Sequence, residues 1–288
     1  MISQQHTGVR IPLLAAAAGF CVLAGQVAAE APNRADAATP TYADLADLAD
    51  SSRLVVRAEV RKLALVEPER ARGVRPGYAR YYVEARTKAL LAGNTPIGED
   101  LRYLADLPLD SRGKPPAIKK KPVLLFVREA RGAPAQLQLV APDAQVFWSP
   151  ETESRTRAIL AELLSPTAAP RITGVREAIY VPGTLAGEGE TQFFLDTTKQ
   201  SAASITVQHR PDAPPGAPPL WGVSFSEVAA APDDRPQPNT LAWYRLACFL
   251  PNSVPVSASL SDTATNRAQA QADYRTVLGE LGPCARNR

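Results

Sequence analysis

The chain has 288 residues, with 32 Lys and Arg against 29 Asp and Glu, giving a formal net charge of +3 at pH 7. This balance gives no global attraction to nucleic acid or to anionic membranes, so nucleic acid is not expected as a partner. Any charged partner must be recognised by a local patch. The length is sufficient for one large or two ordinary domains with buried cores.

The first residues are typical of an export signal. An apolar run from Ile11 to Gly25 is followed by the small residues Val27 to Ala29, which fit a cleavage site before Glu30. The run is shorter than the roughly 20 residues that span a bilayer. We therefore predict a signal peptide at 1–29, no transmembrane span and a periplasmic or secreted protein. Cys21 follows a bulky side chain, so we do not expect lipid attachment there.

Two cysteines, Cys248 and Cys284, remain after export. An oxidising compartment favours pairing them, so we predict a disulfide bond that joins a C-terminal pair of helices. The alternative is a reactive or metal-binding thiol pair, but the spacing matches no CxxC pattern.

The predicted elements begin after a flexible lead at 30–40. Thr41 and Asp44 suit the start of a short helix. From Arg53 the period changes to two, with Leu54, Val56, Ala58 and Val60 alternating with charged residues, as in a half-buried strand. The same patterns predict further strands at 77–91, 100–107, 122–128 and 136–140, and a helix at 151–164. The segment Val123–Val127 is apolar on both faces, which is typical of a strand buried on both sides.

The second half predicts strands at 172–181, 190–196, 204–209 and 221–228, then helices at about 240–250 and 264–281. No alternating rhythm of strands and helices is present, so we predict an α+β fold with mainly antiparallel sheets. The proline-containing segment 166–170 separates a first domain, 41–165, from a second, 171–288.

The first domain resembles an OB-like barrel. The resemblance rests on five strands, a tyrosine-bearing second strand that ends at Leu90–Gly93, and the apolar strand Val123–Val127. It covers about 110 residues and is similar to secreted inhibitor and netrin-type modules. Those inhibitors depend on an N-terminal cysteine and several disulfides, which this domain lacks, so the resemblance does not imply protease inhibition. The whole chain also resembles exported bacterial proteins, and this resemblance implies export but no particular activity.

A basic strip is predicted on the first two strands. Ten Lys and Arg stand against four Asp and Glu between Arg53 and Lys88. Period two places part of them on the face opposite the core, and we predict a binding strip there for an acidic envelope polymer or protein partner, made of Arg57, Arg61, Arg80, Tyr82 and Arg86. The alternative is a solvated face whose arginines pair with Glu59 and Glu84.

Residues that would indicate catalysis are few. His209 is the one histidine left after export, and Gly222–Ser226 lacks the closing glycine of a nucleophile elbow. We interpret His209 as a polar strand-end residue, with a role in catalysis as the alternative. The glycine-rich segment 182–191 predicts a hairpin loop, with an anion or sugar site as the alternative. We assign no catalytic residue, metal site or cofactor.

These observations predict a non-catalytic exported binding module for an envelope polymer or protein partner. The alternative is a hydrolase that acts on envelope material, with an unrecognised site between the two domains.

Overall fold

The structure, a computed structural model, describes residues 39–130, 136–214, 216–228 and 230–288. The predicted signal peptide lies outside this part of the chain, as does most of the flexible lead. Within it, the first half forms helix α1 (Tyr42–Ser51), strands β1 (Leu54–Leu65), β2 (Tyr78–Ala92), β3 (Asp100–Pro108), β4 (Pro122–Glu129), β5 (Leu137–Leu139) and β6 (Gln145–Phe147), and helix α2 (Pro150–Leu163). The second half forms strands β7 (Ile172–Pro182), β8 (Gly189–Thr197), β9 (Ser204–His209) and β10 (Leu220–Ser224), and helices α3 (Leu241–Ala247) and α4 (Ala264–Leu281).

The first sheet has the strand order β3-β2-β1-β4-β5, and β6 pairs with β4. Its inner face carries the core side chains that the alternating pattern predicts. Val56 lies opposite Leu125 and Ala58 lies opposite Val123, and all four are fully buried. The outer face of β4 is buried as well, because helix α1 packs against this strand. This two-sided cover explains why β4 is apolar at every position from Val123 to Val127.

The first sheet does not form a closed barrel within the described residues. Arg102 of β3 forms an isolated parallel bridge to Gln136, the residue before β5. Nearby, the Asp106 amide donates to the Pro142 carbonyl at 2.8 Å. The predicted α+β class with mainly antiparallel sheets is confirmed, whereas the OB-like barrel stays a prediction.

The second sheet has the order β10-β9-β8-β7, and helix α4 lies on one of its faces. Tyr274 of α4 packs against Phe193 of β8 with ring centroids 5.3 Å apart. The predicted cysteine pair is present at bonding distance: Cys248, at the end of α3, and Cys284, just after α4, have sulfur atoms 2.03 Å apart. The disulfide therefore joins the ends of the two C-terminal helices, as the sequence predicts.

Contacts also connect the two predicted domains. Asp50 at the end of α1 accepts hydrogen bonds from Arg245 of α3 and from Arg171. Helices α1, α2 and α3 contact one another, and the described residues form one compact unit with a shared buried core. The domain boundary at 166–170 therefore stays a prediction. It concerns whether the two predicted domains fold when they are separated.

Candidate binding face and histidine–aspartate cluster

The five residues of the predicted strip lie on the outer face of the first sheet. In the β1–β2 pairing, Glu59 lies opposite Arg86, and Ala64 lies opposite Tyr82. Directly opposed residues of an antiparallel pair share a face. Arg61 donates to Glu59 at 2.8 Å, which places it beside the same row. Period two therefore predicted the correct side of the sheet for Arg57, Arg80, Tyr82 and Arg86, whereas Arg61 lies at an irregularity between Val60 and Lys62.

Strand β3 completes this face with a second row of side chains. Asp100 lies opposite Arg86, Arg102 opposite Glu84, Leu104 opposite Tyr82, and Asp106 opposite Arg80. Opposite charges thus face each other on three cross-strand rungs. The rung of Tyr82 and Leu104 is different because it is uncharged, and Leu104 is 48% exposed. We call the outer surface of β2 and β3 from Arg80 to Arg86 and from Asp100 to Asp106, together with Arg61 of β1 beside Glu59 and Arg86, the β2–β3 face.

Two of the four predicted arginines are held by structural contacts. Arg80 makes two hydrogen bonds to Asp106, at 2.6 and 2.9 Å, and this pairing raises the pKa of its guanidinium. Arg57 contacts Glu153 of α2 at 3.1 Å and lies over the ring of Trp148. Both arginines therefore fix the sheet to its surroundings, and neither is free to meet a ligand without losing these contacts.

The other two arginines are more accessible. Arg61 pairs with Glu59, and Arg86 pairs with Glu99; the two arginine side chains are 54% and 47% exposed. Exposed ion pairs of this kind contribute little stability and exchange readily with water. Glu84 pairs with Lys62 rather than with an arginine. The face therefore combines both signs of charge, and it is less basic than the sequence predicts.

The glycine-rich loop between β7 and β8 closes on its own carboxylate. The backbone amides of Thr184 and Leu185 donate to Glu188 Oε2 at 3.0 and 3.1 Å. The Gly183 amide donates to the Glu188 carbonyl at 2.9 Å. These are the donors that an anion would need, so the geometry fits the hairpin interpretation rather than an anion site.

His209 lies in a polar cluster that sequence reasoning did not identify. Its Nε2 atom lies 2.9 Å from Oδ1 of Asp273, which also accepts from Gln269 Nε2 at 2.8 Å. The second oxygen of Asp273 accepts from the hydroxyl of Thr191. Asp273 is 2% exposed, whereas the His209 side chain is 23% exposed. The cluster thus joins a buried carboxylate to a histidine that solvent can reach.

The fold positions this cluster through two elements. Helix α4 presents Ala270, Tyr274 and Val277 to the core, and Asp273 lies on the same buried side. His209 ends β9 and meets the edge of the Tyr180 ring, with centroids 6.1 Å apart. An acidic residue inside an apolar helical stripe was the signal in the sequence, but its partner is 64 residues away along the chain.

A shallow cleft of about 190 Å³ adjoins His209. Its lining includes His209, Arg210, Gly187 and, from the connection between β9 and β10, the residues 213, 214 and 217–219. The cleft is formed by the loop before β8, the end of β9 and the described part of the proline-rich connection to β10. It therefore lies within the second sheet rather than between the two predicted domains.

Within the described ranges, no group of three or more His, Cys, Asp and Glu side chains is placed to hold a metal ion. The described part of the chain also contains no helix that is both long enough and apolar enough to cross a membrane.

Comparison with protein-family models finds no match to this chain, and comparison with curated proteins finds no significant similarity. Function must therefore be argued from the two sites.

Proposed function

We propose that this protein is an exported binding module whose β2–β3 face contacts an envelope polymer or a protein partner. The observation that carries the proposal is the uncharged rung of half-buried Tyr82 and exposed Leu104, which lies between charged rungs. Aromatic and aliphatic surface provides contact area, and the surrounding Arg and Glu side chains provide hydrogen bonds that fix orientation. Export follows from the sequence of the first 29 residues and is part of the proposal.

The strand order supports an OB-like architecture for this module. Strand β1 is hydrogen-bonded to both β2 and β4, and the isolated parallel bridge relates β3 to the chain at the start of β5. A partly open five-stranded barrel has these neighbours, and such barrels bind extended polymers on the outer face of their second and third strands. The β2–β3 face occupies that position.

Charge on this face favours a partner that forms specific hydrogen bonds over one held only by bulk negative charge. Asp100, Glu84 and Asp106 lie among the arginines, so a polyanion would meet repulsion as well as attraction. Arg61 and Arg86 are the accessible cations that contribute the attractive part. We therefore expect binding to weaken with salt but to persist at moderate ionic strength.

The test is charge reversal at these two accessible arginines. The double variant Arg61→Glu/Arg86→Glu should lose retention on immobilised polymer extracted from the envelope, while its thermal midpoint stays nearly unchanged because both side chains are exposed. A matched control, Lys199→Glu/Arg275→Glu, makes the same change in net charge at exposed positions outside the face. If both double variants lose retention equally, net charge rather than the β2–β3 face is responsible, and the proposal is wrong.

A second candidate function, a hydrolase acting on envelope material, is supported by one observation. The hydrogen bond between His209 and the buried Asp273 has the arrangement of a general base and its orienting carboxylate.

A further inference from the structure

The buried carboxylate of Asp273 lowers the stability of the fold unless its charge is compensated. Its carboxylate is buried on the core side of α4, where its neighbours along the helix are apolar. Burying a charge is costly unless the charge is paired, and among the described residues the ionisable group that contacts Asp273 is one imidazole. A leucine or alanine would fill such a helical position without this cost. Thr191 and Gln269 also donate to the carboxylate, but His209 is the partner through which it reaches a solvent-accessible group.

Asp273 fixes both the orientation and the tautomer of His209. A carboxylate accepts hydrogen bonds, so Nε2 of His209 carries the proton that points to Asp273. In the neutral ring, Nδ1 then has the free lone pair, and among the described residues it has no hydrogen-bond partner. The Tyr180 ring packs against the imidazole ring in a T-shaped arrangement. The result is an oriented base beside an open cleft.

We propose that His209 and Asp273 form a general-base site that hydrolyses a carboxylic ester bound in the adjoining cleft. This inference rests on the hydrolase candidate and involves none of the residues of the β2–β3 face. His209 would be the catalytic base, and Asp273 would be a positioning residue. Arg210 lines the same cleft and provides positive charge near the site where the carbonyl oxygen becomes negative.

The reaction proceeds through direct attack of water. Nδ1 of His209 takes a proton from water as the water oxygen bonds to the ester carbonyl carbon, and the carbonyl electron pair moves to its oxygen. Collapse of this tetrahedral intermediate breaks the bond to the alkoxide. The proton on Nδ1 passes to the alkoxide, so an acid and an alcohol leave and the histidine returns to its neutral form. Asp273 stabilises the imidazolium in between.

The chemistry of the site selects an ester. A single general base accelerates proton transfer by about 10²–10⁴-fold, which is useful for a carbonyl with a good leaving group. A glycosidic bond requires two carboxyl groups placed across the bond, and Asp273 is enclosed behind the histidine. Hydrolysis of a phosphodiester requires concentrated positive charge, whereas Arg210 is the one cationic side chain among the described residues that line the cleft. A small acyl group, such as an acetyl ester on an envelope sugar, suits a cleft of about 190 Å³.

The experiment measures hydrolysis of p-nitrophenyl acetate by the purified exported protein between pH 5 and 9. Three variants are compared with wild type: His209→Gln, Asp273→Asn and, as a matched control on the exposed side of α4, Arg275→Ala. The ionisable groups facing the ring are Asp273 from α4 and Tyr180 from β7, and Arg210 lines the same cleft. Circular dichroism and a thermal melt establish that each variant is folded.

We expect the wild-type second-order rate constant for p-nitrophenyl acetate to exceed that of free imidazole by at least about 100-fold. His209→Gln should fall to the buffer rate, Asp273→Asn should fall at least about tenfold, and Arg275→Ala should be unchanged. The proposal is overturned if wild type is no faster than imidazole, if His209→Gln keeps its activity, or if folded Asp273→Asn is as active as wild type. If Asp273→Asn does not fold, NMR of the wild-type imidazole decides, because a proton on Nδ1 instead of Nε2 in the neutral ring would exclude the base assignment.

Discussion

Substitution of Arg245 by Ala tests the buried ion pair between α1 and α3. Arg245 donates to both oxygens of Asp50, at 2.8 and 2.9 Å, and its Nε donates to the Ala169 carbonyl at 3.2 Å. The Arg245 and Asp50 side chains are 5% and 15% exposed. Breaking a buried pair costs about 3–5 kcal/mol, and we expect the lower end, about 3 kcal/mol, because Arg171 still contacts Asp50. For a chain of this size that corresponds to a fall in Tm of roughly 6–12 °C.

The effect of Arg245→Ala should depend on pH in a specific direction. Burial alone would raise the pKa of Asp50, but the hydrogen bonds from Arg245 and Arg171 outweigh it and lower the pKa to about 2 from an ordinary value of 3.8. Because the folded-state pKa is depressed, the stabilisation is fully present above the unfolded value and is lost as pH falls through about 2. The difference in stability between wild type and Arg245→Ala should therefore shrink below about pH 4.

Urea unfolding at pH 7, 5, 4 and 3 measures this difference. The double variant Asp50→Asn/Arg245→Met serves as the control, since it removes both charges and should cost less than the two single changes added together. If Arg245→Ala unfolds at the wild-type urea concentration, the pair contributes no net stability. If a difference is found but does not depend on pH, the lost stability does not come from the charge of Asp50, and the ion-pair assignment is wrong.

Three further outcomes are expected. Replacing Cys248 by Ser opens a loop of 36 residues and should lower the free energy of unfolding by about 4 kcal/mol in the chain-entropy model, or by less if the unfolded chain is compact. Thiol titration of the denatured, unreduced wild-type protein should find no free thiol, and two free thiols would contradict the pairing. The intact mass of the exported protein should correspond to a start at Glu30, and a retained apolar run would contradict the signal assignment. The fragment 31–164 is predicted to fold by itself, but without Arg245 and Arg171 its Asp50 loses both cations, so we expect a lower unfolding midpoint than that of the whole chain; failure to fold would show that the boundary is wrong or the contact obligatory.

Local patterns in the sequence predicted most elements because their causes are local. Period-two alternation located β1 and β2, and the capping residues Thr41 and Ser149 begin α1 and α2 where the chain needs side-chain acceptors. The helix at 264–281 has the bounds predicted for it. Strand β6 was not predicted, because three residues are too few to show a period.

The strand predicted at 221–228 was wrong beyond Ser224. The Ser226 amide donates to the Ser224 hydroxyl, and the Val228 amide donates to the Ser226 hydroxyl. Side-chain oxygens of serine thus compete with a neighbouring strand for the backbone donors, which turns the chain into a bend. The apolar pattern of this segment did not contain that information.

The candidate sites depend on pairings that are distant in the sequence. Alternation predicted that Arg80 and Arg86 lie on the outer face, but the acids that neutralise them lie on β3 and in the loop before it. Neither the register of β3 nor the position of Asp273 beside His209 follows from any local pattern. The sequence therefore predicted a strip on the first two strands, whereas the structure was needed to find the β3 row, the charge balance of the face and the histidine–aspartate cluster.

Hydroxyl-radical footprinting measures whether the β2–β3 face is the binding surface. The protein is oxidised briefly with and without polymer extracted from the envelope, and modification is located by mass spectrometry. We predict that the polymer lowers oxidation of Tyr82 and Leu104, while the exposed Leu164 and Val256 outside the face are modified equally in both samples. Unchanged oxidation of Tyr82 and Leu104 in a sample that retains the polymer would show that the β2–β3 face is not the binding surface.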